Sequence, residues 1–425
     1  MATLILVGGL LGLLLLGLPV AFSLLLSSLA LIVYEGKLPL LIMAQRLTNS
    51  LDSFPLLAIP LFILAAEIMN HSGATERIFR FANVAIGFVA GGLAHVNVVA
   101  SILFSGMSGS AVADASGLGA IEVKAMLRQG YDRAFSGAVT AASSTIGPII
   151  PPSVPMVIYG VISGTSISDL FLAGFVPGLL MGGAMMIYIA LVAKRRNLPK
   201  ATRFEGIGPL ATSLLRAVPS LMLPVIILGG IWGGIFSPTE AAAVAAVYAL
   251  FLGLVLHRST RIRDIFGIFA RATTATASIM LIVASAALYG WLVSTARIPQ
   301  SVSNLLLGVS SDPVAVLAII CIILLIMGMF MELIAILTIA VPVFLPVALA
   351  AGIDPVHFGV VAVLTLMIGL LTPPFGLNIF ILQRVSGASY GSLVRETMPF
   401  IAILVVLLIP LVIFPSISLF LLEYF

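Results

Sequence analysis

Two segments of the chain carry the groups best suited to binding a small cation. Residues 105–116 form a cluster of serines and glycines with one carboxylate, and residues 143–153 place hydroxyls around Pro151-Pro152. Proline lacks an N–H and clashes with the preceding turn, so a helix must break there. In lipid, such a break frees backbone carbonyls at one half-helix end and N–H groups at the other. Carbonyl and hydroxyl oxygens suit Na⁺, whereas the positive N–H end suits an anionic group.

The same arrangement occurs again in the second half of the chain, where residue n is matched by residue n + 222. The matched residues are mostly Gly, Pro and Asp, which constrain backbone shape: Gly106 and Gly328, Gly130 and Gly352, Asp132 and Asp354, Gly147 and Gly369, and Pro151-Pro152 and Pro373-Pro374. Two broken apolar segments at matching positions of the two halves are typical of the binding site of a membrane transporter. The pattern therefore predicts the same unusual backbone shape in each half.

The composition is that of an integral membrane protein. Hydrophobic residues make up 61% of the 425 residues, charged residues make up 8%, and the mean hydropathy is +1.25. A soluble chain carries about 25% charged residues, whereas this length supplies roughly ten apolar segments of bilayer length. The predicted fold class is all-α. The lone Cys321 excludes a disulfide framework.

Several function classes have no residues to support them. The four histidines share no metal-ligand spacing, and the chain lacks a nucleotide-binding glycine loop and a nucleophile–base arrangement. We therefore expect no enzymatic activity, no cofactor and no metal other than a coupling ion. The net charge of +4 does not indicate nucleic-acid binding, because the basic residues lie in short loops, where they orient a membrane protein.

Apolar runs and charge together predict a topology. Two segments, 133–164 and 355–388, are predicted to be broken transmembrane helices. Two others, 91–128 and 313–350, are predicted to be re-entrant hairpins that enter and leave the membrane on one side. Continuous helices are predicted at 2–34, 54–72, 169–193, 209–235, 238–256, 273–295 and 395–421. Segments 75–87 and 258–271 mix charges with apolar residues at helical spacing, which predicts interfacial helices.

The basic residues orient this topology. If the loop 194–200 is cytoplasmic, all but three of the 20 Lys and Arg residues lie on that side, with Lys37, Arg46 and Arg297 outside. The N-terminus is then cytoplasmic and the C-terminus lies outside. The first half, 1–193, runs opposite to the second, 209–425, with 194–208 as connector. We therefore predict an inverted repeat about a pseudo-two-fold axis in the membrane plane, with residue n matching n + 222 between about 103 and 152.

Two features of the sites have alternative interpretations. The small hydroxyl residues at 105–110 allow close helix packing or bind a ligand, and their position at a hairpin tip favours the ligand. Asn378 either hydrogen-bonds another helix or reaches a bound ligand. Thr372 stands where the first half has Ile150, so the two sites are expected to be related but not identical.

The acidic residues at membrane depth are few. Glu67 lies close to Arg77, which favours a structural ion pair over a proton relay. Asp114 and Glu332 lie in the hairpin tips, where a partly wet position is expected. Because these acids are too sparse for a proton wire, Na⁺ is favoured as the coupling ion. Residues 237–240 form a predicted capping box with Pro at the first helical position, which assigns Glu240 to a helix start.

Several motifs occur in the order found in one transporter family. They are Gly17-Leu-Pro-Val-Ala-Phe22, Ser53-Phe-Pro-Leu-Leu-Ala-Ile-Pro-Leu-Phe62, Ser108-Gly-Ser-Ala-Val-Ala-Asp114, Ile149-Ile-Pro-Pro-Ser153, Ser237-Pro-Thr-Glu-Ala241 and Leu371-Thr-Pro-Pro-Phe-Gly376. Over essentially its whole length the chain resembles the large membrane (DctM-like) subunit of tripartite ATP-independent periplasmic (TRAP) transporters. The resemblance implies an elevator-type fold like that of the ion transporter superfamily. Residues 91–164 and 313–388 would form the transport domain, and the remainder would form scaffold and arm helices.

The resemblance also implies ligands for particular residues. The first Na⁺ site would use Ser105, Gly106, Ser108, Ser144 and Gly147, and the second would use Gly328, Gly369, Thr372 and Phe375. The substrate would contact Ser110, Asp114, Ser153 and Asn378.

The resemblance further implies partners and a location. The expected function is Na⁺-coupled import of a small organic acid, such as a dicarboxylate, a sugar acid or a sialic acid, across the bacterial inner membrane. Expected partners are a separate small four-helix membrane subunit and a periplasmic substrate-binding protein, with the C-terminus periplasmic. One alternative is a stand-alone Na⁺/dicarboxylate elevator symporter. Another is a channel or an intramembrane enzyme, but the sequence shows neither a continuous polar path nor an activated nucleophile.

Overall fold

The described residues, 1–36, 38–199, 204 and 206–424, fold in a computed structural model into helices and connecting turns, with no strand among them. The α-helices in chain order are α1 (Gly9–Leu15), α2 (Val20–Glu35), α3 (Leu41–Leu51), α4 (Ala58–His71), α5 (Ala74–Ile86), α6 (Gly92–Ser108), α7 (Ala111–Ser116), α8 (Leu118–Arg128), α9 (Arg133–Ser143), α10 (Val154–Ser163), α11 (Ile167–Arg195), α12 (Ile207–Trp232), α13 (Pro238–Phe251), α14 (Ile262–Thr295), α15 (Ile298–Val309), α16 (Pro313–Gly328), α17 (Leu333–Ala350), α18 (Pro355–Gly369), α19 (Leu377–Ser386), α20 (Tyr390–Ile413) and α21 (Ser416–Leu419). Residues 4–8 and 252–256 are π-helical, and residues 54–57, 144–146 and 420–423 form 3₁₀ turns.

The predicted all-α membrane class is confirmed. Within the part of the chain that the structure describes, seven helices are long and apolar enough to cross a bilayer: Phe54–His71, Ile167–Arg195, Ile207–Trp232, Pro238–Leu256, Ile262–Thr295, Leu333–Ala350 and Tyr390–Ile413. Their apolar surfaces remain partly exposed, as Ile187 and Leu191 at 65% and 64% illustrate. Such exposure is expected of helices that face lipid.

The first predicted hairpin, 91–128, doubles back on itself. Helix α6 ends at Ser108 and is followed by Gly109, whose φ of +56° is a left-handed conformation that favours glycine, and α7 starts at Ala111. The amide of Asn97, near the start of α6, lies 3.8 Å from the sulfur of Met126, near the end of α8. The two ends of the segment therefore lie side by side.

The second predicted hairpin, 313–350, has the same bounds. Its second limb, α17, runs from residue 333 to residue 350, the positions that the repeat matches to the start of α7 at 111 and the end of α8 at 128. The turn between α16 and α17 is residues 329–332, and Thr338 lies inside α17. The main difference is Gly117, which interrupts the second limb of the first hairpin only.

Both predicted helix breaks are present. Helix α9 and its 3₁₀ extension stop before Gly147, α18 stops at Gly369, and the Pro151-Pro152 and Pro373-Pro374 peptide bonds are cis. The matched aspartates cap the incoming half-helices in the same way. Asp132 accepts from the backbone N–H groups of residues 134 and 135, and Asp354 from those of residues 356 and 357, at 2.8–3.1 Å.

The match between the copies shifts from n + 222 to n + 223 immediately after the breaks. The starts of α10 and α19, their glycine ends at Gly164 and Gly387, and the capping serines Ser166 and Ser389 all follow the longer offset. The second copy therefore has one more residue between its prolines and its outgoing half-helix.

The two halves contact each other reciprocally. A Cβ built on Gly137 of the first half would lie 2.7 Å from Cδ1 of Leu393 in the second. A Cβ built on the matched Gly359 would lie 2.9 Å from Cδ2 of the matched Leu170. Contacts of the form i–j and i′–j′ are expected of parts related by a two-fold rotation. The direction of such an axis relative to a membrane stays a prediction.

Three predicted helices differ in the structure. Residues 2–34 are a helical hairpin turned at Gly17 (φ +82°), and a Cβ on Gly9 would lie 3.6 Å from Cβ of Ser27. The helix predicted at 395–421 is α20, which ends at residue 413. Its C-terminal continuation turns back, so that the Ser418 hydroxyl lies 2.7 Å from Nδ1 of His357.

The third difference concerns residues 258–271. Residues 262–271 continue into the membrane-length helix α14 rather than forming a separate interfacial helix. The other predicted interfacial segment, 75–87, is the separate helix α5.

The connector 194–208 is described only in part, since residues 200–203 and 205 lie outside the described residues. Lys37, one of the three basic residues predicted to lie outside, also falls outside the described residues. The capping box is confirmed, because Glu240 and Ser237 bond reciprocally.

We expect Gly369→Ala to destabilise the fold, because the new methyl group would lie 2.7 Å from the Cα of Gly328 and neither backbone moves freely. The expected loss is about 1–3 kcal/mol of unfolding free energy, measured by thermal unfolding in detergent. The control is Gly183→Ala in α11, where nothing lies within 4 Å and alanine is favoured by about 1 kcal/mol. Equal stability of the two variants would contradict the close contact.

Candidate functional site

A cavity of about 160 Å³ lies where both hairpin tips meet the first helix break. The tips contribute residues 108–113 and 332–334, and the break contributes Pro148, Val154 and Pro155. Helices α4 and α14 close the opposite wall with Ile63, Ala66, Glu67, Asn70, Ala275 and Ile279. The wall is mostly apolar with few polar groups, which is typical of a small-molecule site.

The charges around the cavity are acidic. Among its described lining residues are two carboxylates and no Lys, Arg or His. Glu67 pairs with Arg271 (Oε2–Nε 3.1 Å), which also contacts His71. The expected ion pair is therefore present, although its partner is Arg271 rather than Arg77. Glu332 accepts hydrogen bonds from the N–H groups of residues 334 and 335 (3.0 and 3.3 Å) at the start of α17.

The residues of the predicted first Na⁺ site surround the contact between hairpin tip and break. A Cβ on Gly147 would lie 3.7 Å from the carbonyl of Ser110. The Ser108 hydroxyl is buried and has no hydrogen-bond partner among the described residues. The hydroxyls of Ser105 and Ser144 donate to backbone carbonyls at 2.5 and 2.9 Å. Each hydroxyl keeps acceptor capacity, although that of Ser144 is shared with the amide of Asn378, which donates to it at 3.0 Å.

Gly106 is in a different position from the rest of this set. A Cβ on Gly106 would lie 2.6 Å from the ring of Pro224 in α12, and 3.9 Å from the carbonyl of Pro151. The first hairpin tip therefore packs between the first helix break and the long helix α12.

The residues of the predicted second Na⁺ site form a closer contact. The backbones of Gly328 and Gly369 touch, and a Cβ on either one would approach the carbonyl of Leu325 or Leu366 to 3.1–3.3 Å. The Thr372 hydroxyl donates to the Ile368 carbonyl at 2.7 Å. Phe375 is 54% exposed, and its ring lies 5.6 Å from that of Phe330 in the hairpin turn.

Of the four residues predicted to contact substrate, only Ser110 lines the cavity. Ser153 is fully buried; its hydroxyl donates to the Pro148 carbonyl and accepts from the Met156 N–H, which caps α10. Asp114 is 1% exposed. Asn378 is fully buried and donates to the Ser144 hydroxyl at 3.0 Å, which links the second half to the first break. These four assignments stay predictions.

Sequence reasoning missed a second buried acid beside Asp114. Glu122 is 1% exposed and lies close to Asp114, and neither of its carboxylate oxygens has a hydrogen-bond partner among the described residues, whereas Asp114 interacts with the Ser101 hydroxyl. A hydrogen-bonded network joins this hairpin to the first broken helix, where Asn97 of α6 bonds Thr140 and Ser143 of α9 at 2.7 and 2.6 Å. The spacing of the two acids along the chain, close to two helical turns, was the available signal.

Tyr390 is another residue that the sequence did not suggest. Its hydroxyl lies 2.6 Å from the carbonyl of Pro374 and 3.0 Å from that of Phe375, so it satisfies carbonyls freed by the second break. In the first break, Ser153 has the equivalent role toward Pro148. Each break therefore uses part of its carbonyl set to bind a nearby hydroxyl.

A bundle of membrane-length helices around a cavity framed by two hairpin tips and a helix break defines a multi-pass membrane protein of the transporter class. Residues 7–417 match the family described as tripartite ATP-independent periplasmic transporter, DctM component. The chain belongs to that family, and is a permease subunit rather than an enzyme.

Similar proteins come from several bacteria. The chain is 46% identical over 98% of its length to 97% of the sialic acid TRAP transporter large permease protein of Vibrio cholerae. It is 41% identical over 98% of its length to 98% of the 2,3-diketo-L-gulonate TRAP transporter large permease protein of Escherichia coli. It is 40% identical over 89% of its length to 88% of the C4-dicarboxylate TRAP transporter large permease protein of Pseudomonas aeruginosa.

A solved structure shares the fold. The YdaH transporter of Alcanivorax borkumensis, described as having an unusual topology, superposes with a TM-score of 0.61. The match covers 88% of both chains at 14% identity. At that identity the likeness concerns the fold alone.

We expect Asn378→Ala to destabilise the protein by about 1–3 kcal/mol, because it removes the amide that donates to the buried Ser144 hydroxyl and leaves that hydroxyl with its Ala141 bond alone. Thermal unfolding in detergent measures the loss. Asn304→Ala is the matched control, since Asn304 is an exposed asparagine on α15. Equal melting temperatures for the two variants would show that the Asn378–Ser144 bond does not join the halves.

Proposed function

We propose that this chain is the membrane-spanning permease of a Na⁺-coupled importer for a small organic acid. The three relatives above are named for sialic acid, 2,3-diketo-L-gulonate and C4-dicarboxylate, all of which are organic acids. We therefore propose that the substrate of this chain is also a small organic acid. The choice among a sialic acid, a sugar acid and a dicarboxylate depends on the selective step, which we assign to a partner protein.

The observation that carries the Na⁺ coupling is the charge of the cavity. Its wall holds carboxylates and no basic side chain among the described residues, so an organic anion finds no side-chain counter-charge there. Bound cations are often the largest local charges in a site and reverse its electrostatics. Na⁺ at the two breaks would supply the missing positive charge, and anion binding would then require Na⁺.

Oxygen donors at the breaks support this assignment. The first site offers the Ser108 hydroxyl, which has no hydrogen-bond partner among the described residues, and the carbonyls around Gly147. The second offers the carbonyls that converge on Gly328 and Gly369 and the remaining acceptor lone pair of Thr372. Hard cations prefer such oxygen ligands.

We also propose an elevator movement, in which 91–164 and 313–388 move as one body against the remaining helices. Each outgoing half-helix packs on elements of the other half within these ranges, α19 on α7, α8 and α9, and α10 on α17 and α18, which supports one body. Two contacts with the surrounding helices place a glycine against a proline ring: Gly106 against Pro224, and Gly290 against Pro342. A glycine against a proline ring has no protruding side chain on its side of the contact, so the moving body could slide along the remaining helices there.

The proposed complex contains two further proteins, a small membrane subunit and a periplasmic binding protein. Charges in the loops assigned to the outside are scattered, including Arg46, Arg297, Asp169 and Asp312. Without a strongly charged patch, docking of the binding protein is expected to be weak and transient. This suits repeated delivery and release.

The proposed location is the bacterial inner membrane with the C-terminus periplasmic. The side of the membrane on which the N-terminus lies does not follow from the position of the C-terminus. The prediction of a cytoplasmic N-terminus depends on a single crossing by residues 2–34, but the hairpin turned at Gly17 brings residue 4 back towards residue 35. The N-terminal side therefore needs its own test by tag accessibility in intact cells.

We expect Thr372→Ala to raise the Na⁺ concentration for half-maximal uptake roughly fivefold, the equivalent of about 1 kcal/mol for a lost ligand. Thr372→Ser keeps the hydroxyl and should restore the Na⁺ dependence. Thr365→Ala is the control, because its hydroxyl makes the same i−4 bond, to Val361 at 2.7 Å, away from the break. An unchanged Na⁺ dependence in an active Thr372→Ala transporter would remove Thr372 from the site.

Uptake should also depend on the binding protein. Vesicles with both membrane subunits and an inward Na⁺ gradient should take up substrate only when the loaded binding protein is present outside. Dissipating the gradient with an ionophore should stop uptake. Equal uptake with and without the binding protein would instead identify a stand-alone carrier.

A further inference from the structure

A basic groove lies between α5 and α12, apart from the transport cavity. It consists of two cavities of about 510 and 450 Å³ that share Arg80, Ser213 and Arg216 as lining residues. Gly73, Glu76, Arg77 and Ser259 also line the first cavity, and Thr212 is among the other lining residues of the second. None of these residues lines the transport cavity, so the groove has no part in the function proposed above.

The three arginines of the groove have no ion-pair partner among the described residues. Within the described chain, no carboxylate oxygen lies within 4.0 Å of the guanidinium nitrogens of Arg77, Arg80 or Arg216. Glu76 is the one acid among the described lining residues. Arg77 donates to the backbone carbonyls of residues 72 and 73 at 3.3 and 3.2 Å. These bonds fix its position but leave its charge, so the groove is positive overall.

The neighbouring histidine does not add to this charge. Burial, and then the nearby Arg77, lower the pKa of His257 below its ordinary value, and a hydrogen bond with the Ser72 carbonyl opposes them. The imidazole is therefore mainly neutral at pH 7, and the arginines supply the positive charge of the groove.

The groove also borders an apolar surface. It lies along the first turns of α12, a helix long and apolar enough to cross a bilayer. Next to Thr212 and Arg216 on that helix, Leu214, Leu215 and Val218 are 39%, 73% and 37% exposed. On the other side, α5 presents charged residues on one face and buries Ile78 and Ala82 on the other. Charge and exposed hydrocarbon therefore meet within one or two helical turns.

An amphiphile with an anionic phosphate can bind both surfaces, with its phosphate at the arginines and its hydrocarbon chains on the apolar face of α12. The planar guanidinium forks of arginine match phosphate oxygens in bidentate geometry. Basic pockets between membrane helices on the cytoplasmic side are known binding sites for anionic lipid headgroups. A soluble anion would use the arginines but not the apolar surface. A protein partner would cover the apolar surface without needing a cavity of this size beside three arginines.

We propose that the basic groove binds the phosphate headgroup of an anionic phospholipid, with its acyl chains along the exposed face of α12. Arg80 and Arg216 contact the phosphate from opposite sides of the groove, and Arg77 contributes from its fixed position. The leaflet would be the cytoplasmic one, an assignment that rests on the orientation proposed above. The binding itself requires neither Na⁺ nor substrate.

Native mass spectrometry of the full-length chain, titrated with phosphatidylglycerol or with phosphatidylcholine, tests the proposal without added Na⁺ or substrate. We expect phosphatidylglycerol to be retained preferentially. The double variant Arg80→Gln/Arg216→Gln should lower its apparent affinity at least about tenfold, since each basic residue near an anionic lipid contributes several-fold. Arg128→Gln/Arg195→Gln removes two exposed arginines elsewhere and should change the affinity less than about twofold.

A second variant keeps the charges. Thr212→Trp fills the groove from an exposed position on α12, and should reduce phosphatidylglycerol retention while leaving the elution volume of the protein unchanged. This arm remains informative if the arginine variant fails to fold.

Three outcomes would overturn the proposal. The first is equal retention of the two lipids by the wild-type protein. The second is saturation by millimolar inorganic phosphate that removes the preference for phosphatidylglycerol, which would identify a site for a free anion. The third is loss of association with the small membrane subunit in the arginine variant with unchanged lipid retention, which would identify a protein contact. Transport failure in any variant leaves these readouts unaffected, so the lipid site and the transport function are tested separately.

Discussion

The cost of an unpaired backbone polar group in an apolar environment governs the whole structure. A helix satisfies its own N–H and C=O groups, so a bundle of helices is stable in lipid, but a helix that stops halfway exposes both kinds of group. The two Pro-Pro segments impose such stops. Everything nearby follows from that demand: hairpin tips that fill the gap, hydroxyls of Ser153 and Tyr390 that satisfy carbonyls, and aspartates that cap the incoming half-helices. The oxygens that remain are the ones available to a cation.

The sequence predicted the parts of the fold that depend on backbone chemistry. The two helix breaks could be found because Pro-Pro interrupts a helix in any environment, whereas the capping role of Asp132 and Asp354 was seen only in the structure. The first helical hairpin could not be distinguished from a long helix, because one Gly17-Leu18-Pro19 segment is compatible with a bend or a full reversal. Only the packing of Gly9 on Ser27 decides it. The long α14 could not be predicted as one helix, because charge near a helix start resembles an interfacial segment.

Side-chain direction was the least predictable part of the site. Asp114, Ser153 and Asn378 occur at the expected places in the chain, yet they are buried away from the cavity, and Glu332 is bound to the start of α17. The halves also differ where their sequences match. Gly328 and Gly369 touch, whereas Gly106 contacts Pro224 of a different helix. Repeated residues therefore specify a repeated backbone, while the surroundings of each copy determine how closely its tip approaches its break.

The shift of the match from n + 222 to n + 223 falls outside any helix. An extra residue inside a helix would turn every following side chain by about 100° around its axis and replace the face that meets its neighbours. Placed in the irregular stretch after Pro374, it leaves α19 and α20 with the same faces towards the first half as α10 and α11 have towards the second, as the Gly137–Leu393 and Gly359–Leu170 contacts require. The break is thus a joint at which the two copies can acquire different lengths, and hence ion sites of different shape, without disturbing the packing that holds them together.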